Sequence, residues 1–504
     1  MSPDSRWLVP LALGLACSAA GAAQIAPGLG EQVAGEGTLD VLLVLPDQAR
    51  PSIGMPPPGD YKARRRQLVD ALRRRAADQQ ADVLAWLTAR GVEHRAYWIA
   101  NLVWARVSAP ELAALAARED IARIEANPRI AAQLPQPLAG PLSAPIAAGI
   151  EWGVARISAP AVWAEGHTGQ GVVIGGADTG YQWNHPALKR AYRGWDGVTA
   201  VHDYHWHDAI HDAVGNPCGN DAPAPCDDQA HGTHTAGTFA GDDHAGHQIG
   251  VAPGARWIGC RNMADGWGTP ARYIECMQWM LAPTDLQGAN PQPDLAPDII
   301  SNSWGCIPSE GCQVGNEIHA AVDNVVAGGI LFVVAAGNDG SACSSIFNPP
   351  ATYDASFVIG ATQSDDELAG FSGRGPVSGS VRMRPDVVAP GVGVLSSVPG
   401  GGYGTMSGTS MATPHVAGAA ALLMSVNPAL KGDPQAVAAL LRATAVRTGI
   451  GDPWNSGCGG LGMGDWPNYQ AGYGRIDVYA AALAAAPDQL IFSDGFDGPG
   501  PEGD

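Results

Sequence analysis

Val172-Val173-Ile174-Gly175-Gly176-Ala177-Asp178-Thr179-Gly180 is an apolar run that stops on a carboxylate and a turn. A short apolar run bounded in this way reads as a buried strand. Arg256–Cys260, Ile299–Asn302 and Ile330–Ala335 have the same character, and helical patterns lie between them near Gly232–Ala240, Pro270–Leu281 and Glu317–Ala327. Strands alternating with helices predict an α/β fold, a doubly wound and mostly parallel sheet, across residues 150–487.

The rest of the chain divides around that body. Residues 1–23 read as an export signal: Arg6 is followed by an apolar stretch from Trp7 to about Ala16 and small residues through Ala23. That stretch is too short to span a membrane. Cys17 raises a lipid-modified alternative, which Gly14 disfavours because that signal wants an aliphatic residue there. Residues 24–130 carry a strand at Leu39–Leu45, a basic helical stretch at Tyr61–Ala89, alternating residues at Ala96–Val107, a short helix at Ala109–Ala117 and a strand at Ile121–Ala126. The order β-α-β-β-α-β predicts a small ferredoxin-like α+β domain. Residues 131–149 are rich in Pro and Ala and read as an exposed linker. Residues 488–504 form an acidic, Gly-rich tail.

The 504 residues are 46% hydrophobic and 15% charged, with a net charge of −20. Such a chain can fill a core and is not disordered in composition. Its acidity argues against nucleic acid as a partner. There are 66 glycines, roughly twice the usual share of about 7%, which suggests many tight turns. Of nine cysteines, removal of Cys17 with the signal leaves Cys218, Cys226, Cys260, Cys276, Cys306, Cys312, Cys343 and Cys458. An even set in an exported chain predicts disulfides, with about 105 connectivities open. The short loops favour Cys218–Cys226 and Cys306–Cys312, which leaves Cys260–Cys276 and Cys343–Cys458. No Cys-x-x-Cys pair supports a metal site instead.

Two further segments stand, like Asp178, where an element meets a turn. His231-Gly232-Thr233-His234-Thr235-Ala236-Gly237 opens one helix, and Gly408-Thr409-Ser410-Met411-Ala412-Thr413-Pro414-His415-Val416-Ala417-Gly418 opens another. Each alone reads as a turn or a cap. Together they converge, because in open α/β sheets strands end and helices begin at the edge where ligands bind. A serine hydroxyl is a weak nucleophile and needs a base. An imidazole can take and return the proton near neutral pH. A carboxylate fixes the imidazole tautomer and stabilises the imidazolium.

On these segments the sequence resembles the subtilisin-like serine peptidases, for which the chain order Asp, His, Ser is already known. The resemblance covers nearly all of residues 150–487. Glu151-Trp152-Gly153-Val154 and Gln182-Trp183-Asn184-His185-Pro186 look most like the bacillopeptidase F branch. It implies a catalytic triad of Asp178, His231 and Ser410. Val333-Val334-Ala335-Ala336-Gly337-Asn338-Asp339-Gly340 resembles the oxyanion segment, so that Asn338 and the backbone N–H of Ser410 would be the donors. Losing such a donor costs about 10²–10³ in turnover, a figure established on subtilisin itself. Gly266-Trp267-Gly268 and Ser303-Trp304-Gly305 resemble the two edges of a peptide groove in which substrate adds as a strand. Ala335, Ala336 and Gly337 would line the primary pocket, with Asp339 at its rim.

The same resemblance implies that residues 24–130 are a propeptide that inhibits the enzyme, assists its folding and is cut off within residues 131–149. Its basic character complements the acidic body. His234 and His415 read as structural. His202, His205, His207 and His211 cluster in sequence as a metal candidate without carboxylate spacing to support it, and Asp227-Asp228 reads as a polar turn. The chemistry requires no cofactor; a structural calcium stays open and its ligands are unknown. The expected protein is a secreted, monomeric endopeptidase made as a zymogen, acting on protein or peptide substrates. The alternative from another class is a catalytically silent subtilisin-like binding module. A lipase-type Gly-x-Ser-x-Gly elbow is absent, since Ala412 stands where its last glycine would be.

Overall fold

The computed structural model describes residues 23–48, 60–132, 134–135, 149–306 and 317–487. The expected export signal, the acidic tail and most of the linker therefore lie outside the described residues.

Seven parallel strands form the central sheet: β1 (Val173–Asp178), β2 (Trp206–Asp208), β3 (Arg256–Arg261), β4 (Ile299–Asn302), β5 (Leu331–Ala335), β6 (Phe357–Thr362) and β7 (Val387–Pro390). Their spatial order is β7-β6-β5-β4-β1-β3-β2. The order reverses between β1 and β4, so the sheet is doubly wound and has its switch point there. Strands β2, β6 and β7 are additions to the four that the sequence pattern reveals.

Alternation along each strand divides the apolar residues between two layers. Ile174, Ile299, Val333 and Ile359 face one core with residues of the helices α2 (His231–Ala240) and α5 (Thr409–Val426). Their neighbours Ile300, Val334 and Val358 face the other core, with α3 (Pro270–Leu281) and α4 (Glu317–Ala327). Helices on both faces bury both sides of the sheet, which is why its strands read as continuous apolar runs.

The N-terminal body is a sheet of its own, in the order Gln24–Ile25, Arg123–Ala126, Thr38–Val44, Leu102–Ser108, His94–Tyr97. Its longer strands pair antiparallel. Helix α1 (Tyr61–Ala89) is capped by Asp60, which accepts from Ala63 N at 2.9 Å. The short helix Leu29–Glu36 was not legible in the pattern; Gly28 supplies its left-handed start at φ 84°. Leu68, Leu72, Tyr97 and Trp104 join the core of α3 and α4, so this sheet seats on that helix layer as a further layer.

Candidate active site

Asp178 ends β1, beside the switch point, and His231 opens α2. His231 Nδ1 lies 2.7 Å from Asp178 Oδ1, and both side chains are essentially buried. Close approach of α2 to the β1 turn depends on Gly232, because a Cβ there would meet Gly180 O at 2.1 Å. Asp178 Oδ1 also accepts from Thr179 N at 2.7 Å. With the carboxylate held on Nδ1, the imidazole presents Nε2 outward; this atom is buried and has no hydrogen-bond partner among the described residues.

Asp227, which in the sequence reads as a turn, does more than turn the chain. Its carboxylate accepts from Thr179 Oγ1 (2.9 Å), Gln229 N (3.1 Å), Ala230 N (3.0 Å), Thr233 N (2.9 Å) and Thr233 Oγ1 (2.5 Å). It thus fastens the loop after Asp178 to the first turn of His231's helix, and it accepts from N–H donors that the helix start leaves open. Burial pushes its pKa up while these donors pull it down. Asp227→Ala is expected to destabilise the Ser410→Ala chain by about 3 kcal/mol, since several enclosed donors lose their acceptor together. Urea unfolding of the two chains checks this, and equal midpoints would return Asp227 to a mere turn.

Ser410 lies in the first turn of α5 and is 3% exposed. Pro414 sits four residues later and has no N–H for the Ser410 carbonyl. Ser303 Oγ donates to that carbonyl instead, at 3.0 Å. In return Ser410 Oγ donates to Ser303 O at 3.0 Å. This reciprocal pair pins α5 to the end of β4, and it turns the Ser410 hydroxyl toward Ser303 rather than His231. Such catalytic contacts are often loose before substrate binds.

Asn338 follows β5. Its Oδ1 accepts from Thr409 N at 2.9 Å and Thr409 Oγ1 at 3.0 Å. Only the oxygen can accept these bonds, so the amide nitrogen faces the other way. A Cβ built on Gly408 would stand 3.6 Å from both Asn338 Nδ2 and Ser410 N. The nitrogens of the two expected oxyanion donors therefore both lie near one point beside Gly408.

The expected groove edge already carries a strand of this chain. Ile130–Ala131 pairs antiparallel with Trp267–Gly268, and Ala132 N donates to Gly266 O at 2.9 Å. Gly266 is left-handed, with φ +77°. Beyond it is a pocket lined by Ala132, Leu134, Ser303, Ala335, Asn338 and Ser410. Trp304, Gly305, Gly337, Asp339, Asn348 and Thr409 complete the lining. Ala336 is packed in the core and is not part of this wall. Asp339 Oδ2 accepts from Asn348 Nδ2 at 2.9 Å, and burial pushes its carboxyl pKa up.

The remaining histidines have separate roles. His234 Nε2 lies within bonding reach of Val394 O (3.0 Å) and Gly404 O (3.1 Å), and burial lowers its pKa to about 3. His415 Nδ1 is 2.8 Å from Met411 O, and burial lowers its pKa to about 4. The four clustered histidines part company: His202 meets Tyr192 OH at 2.8 Å and His205 meets Val201 O at 3.0 Å. His207 and His211 both meet Glu275 Oε1, at 2.8 and 2.9 Å. Among the described residues no group of three or more His, Cys, Asp or Glu is arranged to hold a metal ion. Cys218–Cys226, Cys260–Cys276 and Cys343–Cys458 are disulfides. Cys306 is also disulfide-bonded, and Cys312, its expected partner, lies outside the described residues. No helix among those residues is long and apolar enough to cross a membrane.

The chain is similar to several known proteins. Bacillopeptidase F of Bacillus subtilis (strain 168) is 38% identical over 356 residues, which cover 69% of this chain but 23% of that protein. Subtilisin NAT of Bacillus subtilis subsp. natto is 34% identical over 281 residues, 55% of this chain and 62% of the relative. Subtilisin of Bacillus pumilus is 34% identical over 281 residues, covering 55% of this chain and 86% of the relative. The profile of the Subtilase family matches residues 169–474, more than half of the chain. The chain belongs to the subtilase family.

Proposed function

We propose that this protein is an exported serine endopeptidase, made as a precursor that cuts itself. The observation that carries the reading is the placement of His231 on Asp178 at 2.7 Å, at the sheet edge where Ser410 and Asn338 also arrive. Ser410 Oγ attacks the peptide carbonyl carbon while His231 Nε2 takes the hydroxyl proton. Asp178 holds the ring in the tautomer that leaves Nε2 free to accept, and it stabilises the imidazolium that forms. The oxygen gains charge and meets Asn338 Nδ2–H and Ser410 N–H. His231 then gives its proton to the leaving amine as the C–N bond breaks, which leaves an acyl group on Ser410. Water, deprotonated by the same histidine, repeats the sequence and releases the acid. These steps use only side-chain and main-chain groups of this chain and water.

Residues 24–130 act as the ferredoxin-like inhibitory propeptide. The strand order of the N-terminal sheet supports this, as does the seating of Ile130–Ala131 along the groove wall. The cut falls within residues 131–149. Export rests on the leader-like residues 1–23 and agrees with the disulfides. The test is incubation of the purified precursor with casein at neutral pH beside a Ser410→Ala copy, with N-terminal sequencing of both. Casein cleavage and a new N-terminus within 131–149, seen only with Ser410 present, are expected. Cutting of the Ser410→Ala chain at the same place in a protease-free host would disprove self-processing.

A further inference from the structure

Arg64, Arg65 and Arg66 open helix α1, and all three reach the catalytic body. Arg65 is 1% exposed. Its Nε donates to Gly328 O at 2.8 Å, and its Nη1 approaches Pro293 O and Ala296 O, both at 3.4 Å. Arg66 Nη1 lies 2.7 Å from each oxygen of Asp294. Arg64 donates to Gly432 O. Tyr61 packs directly on Gly432, where an added Cβ would fall 2.0 Å from Tyr61 Cβ. The nest meets Nε and Nη1 of the Arg65 guanidinium, while Nη2 is buried without a hydrogen-bond partner among the described residues. Gly328 comes just after the last turn of α4, where helix carbonyls lack partners and the dipole is negative. A planar fork of five donors answers several carbonyls at once, which an ammonium cannot do from one position.

The place of this nest matters more than its strength. Pro293–Ala296 lead into β4 and Gly328 leads into β5, so the nest lies at the amino ends of those strands. Ser303 and Asn338 follow their carboxyl ends. At about 3.3 Å per residue, the two places stand at least about 13 Å apart along the strands. The N-terminal body therefore grips the catalytic body at opposite edges of one sheet, through the groove strand Ile130–Ala131 and through the first turns of α1.

We propose that the Arg64–Arg66 nest is a second docking site that keeps the N-terminal body on the catalytic body after the chain is cut, and so sets the rate at which activity appears. This rests on the self-processing reading above. The nest and the groove strand flank the apolar layer that Leu68, Leu72, Tyr97 and Trp104 form with α3 and α4, so opening at one end leaves the rest holding the body at high effective concentration, and release requires all of these contacts to be open together. Arg65 carries the contact. The Arg66–Asp294 pair is about half exposed and adds a smaller, salt-sensitive share.

The test uses the full-length precursor as wild type, Arg65→Ala, Asp294→Lys, and Asp294→Lys combined with Arg66→Glu. The lag before casein hydrolysis is timed, and size-exclusion chromatography shows whether the cut fragment stays bound. Arg65→Ala is expected to shorten the lag about tenfold or more and to free the fragment. Asp294→Lys should shorten it about threefold, and Arg66→Glu should restore it. The kcat/KM of the released enzyme should not change for Asp294→Lys. Equal lags and a retained fragment in Arg65→Ala and Asp294→Lys would overturn the proposal; if Arg65→Ala does not fold, the Asp294 pair decides. Hydrogen exchange on the uncut Ser410→Ala precursor separates the two ideas. There Arg65→Ala should speed exchange of amides 63–70 and 326–331 about tenfold, whether or not the chain can cut itself. If wild type never cuts, the self-processing reading fails and exchange alone judges the nest; unchanged exchange rejects it.

Discussion

Ser410→Ala is expected to lower turnover on casein or a peptide ester by about 10⁶-fold. That magnitude is already known from subtilisin and is not deduced from this structure. The structure supplies the reason it should transfer. Among the described residues His231 Nε2 is enclosed and unpartnered, so none of them offers a second hydroxyl ready to replace Ser410. The proposed oxyanion donors survive the change, and with substrate binding they should leave a residual rate of about 10³–10⁴ over water. The variant should fold, because Ser303 Oγ still reaches the residue 410 carbonyl and only one hydroxyl is removed. Turnover is measured with the purified variant, and a fluorophosphonate label that marks wild type should not mark it. Activity within tenfold of wild type would mean that Ser410 is not the nucleophile. A wild-type chain that folds but neither turns over nor takes the label would favour the silent binding module.

Asp178→Asn is expected to lower kcat by about 10⁴-fold with KM nearly unchanged. These sizes too are known from serine peptidases, including subtilisin. The shape of the residue is kept, but its nitrogen would now donate to His231 Nδ1. The ring would then carry its proton on Nε2, where it cannot accept one from Ser410. The carboxylate that stabilises the imidazolium is lost as well. Steady-state kinetics on one peptide ester separate this from damage to the groove. A rise in KM with kcat preserved would show that Asp178 shapes the binding site and does not act through His231.

What could be read from the sequence follows from what each residue type is able to hide. Asp178, His231 and Ser410 stood out because each sits at the end of a strongly patterned element and none is common inside one. Strand β1 was legible for the same reason. β2 was not, because Trp206–Asp208 lies among histidines that suggested ligands and offers no apolar run. β7 ends on Pro390, a residue that argues against a strand except at an edge, and an edge is where it lies. Asp227 hid because an acidic pair before a helix is ordinary turn chemistry; its five donors come from Thr179 and from the turn itself, and the first of these is remote in sequence. Arg65 hid for the opposite reason. In a basic helix every arginine looks solvated, yet this one is enclosed by carbonyls of a different body.

The proposed triad has no fold of its own. Asp178 is brought by the end of a strand, His231 and Ser410 by the starts of two helices separated by most of the domain, and Asn338 by the loop after a fourth element. Each is placed by packing spread through both cores, not by its sequence neighbours. The candidate site is thus a property of the cooperative unit. Unfolding of either helix layer or of the sheet between them dissolves it in a single step, so loss of activity in denaturant should coincide with loss of the central sheet.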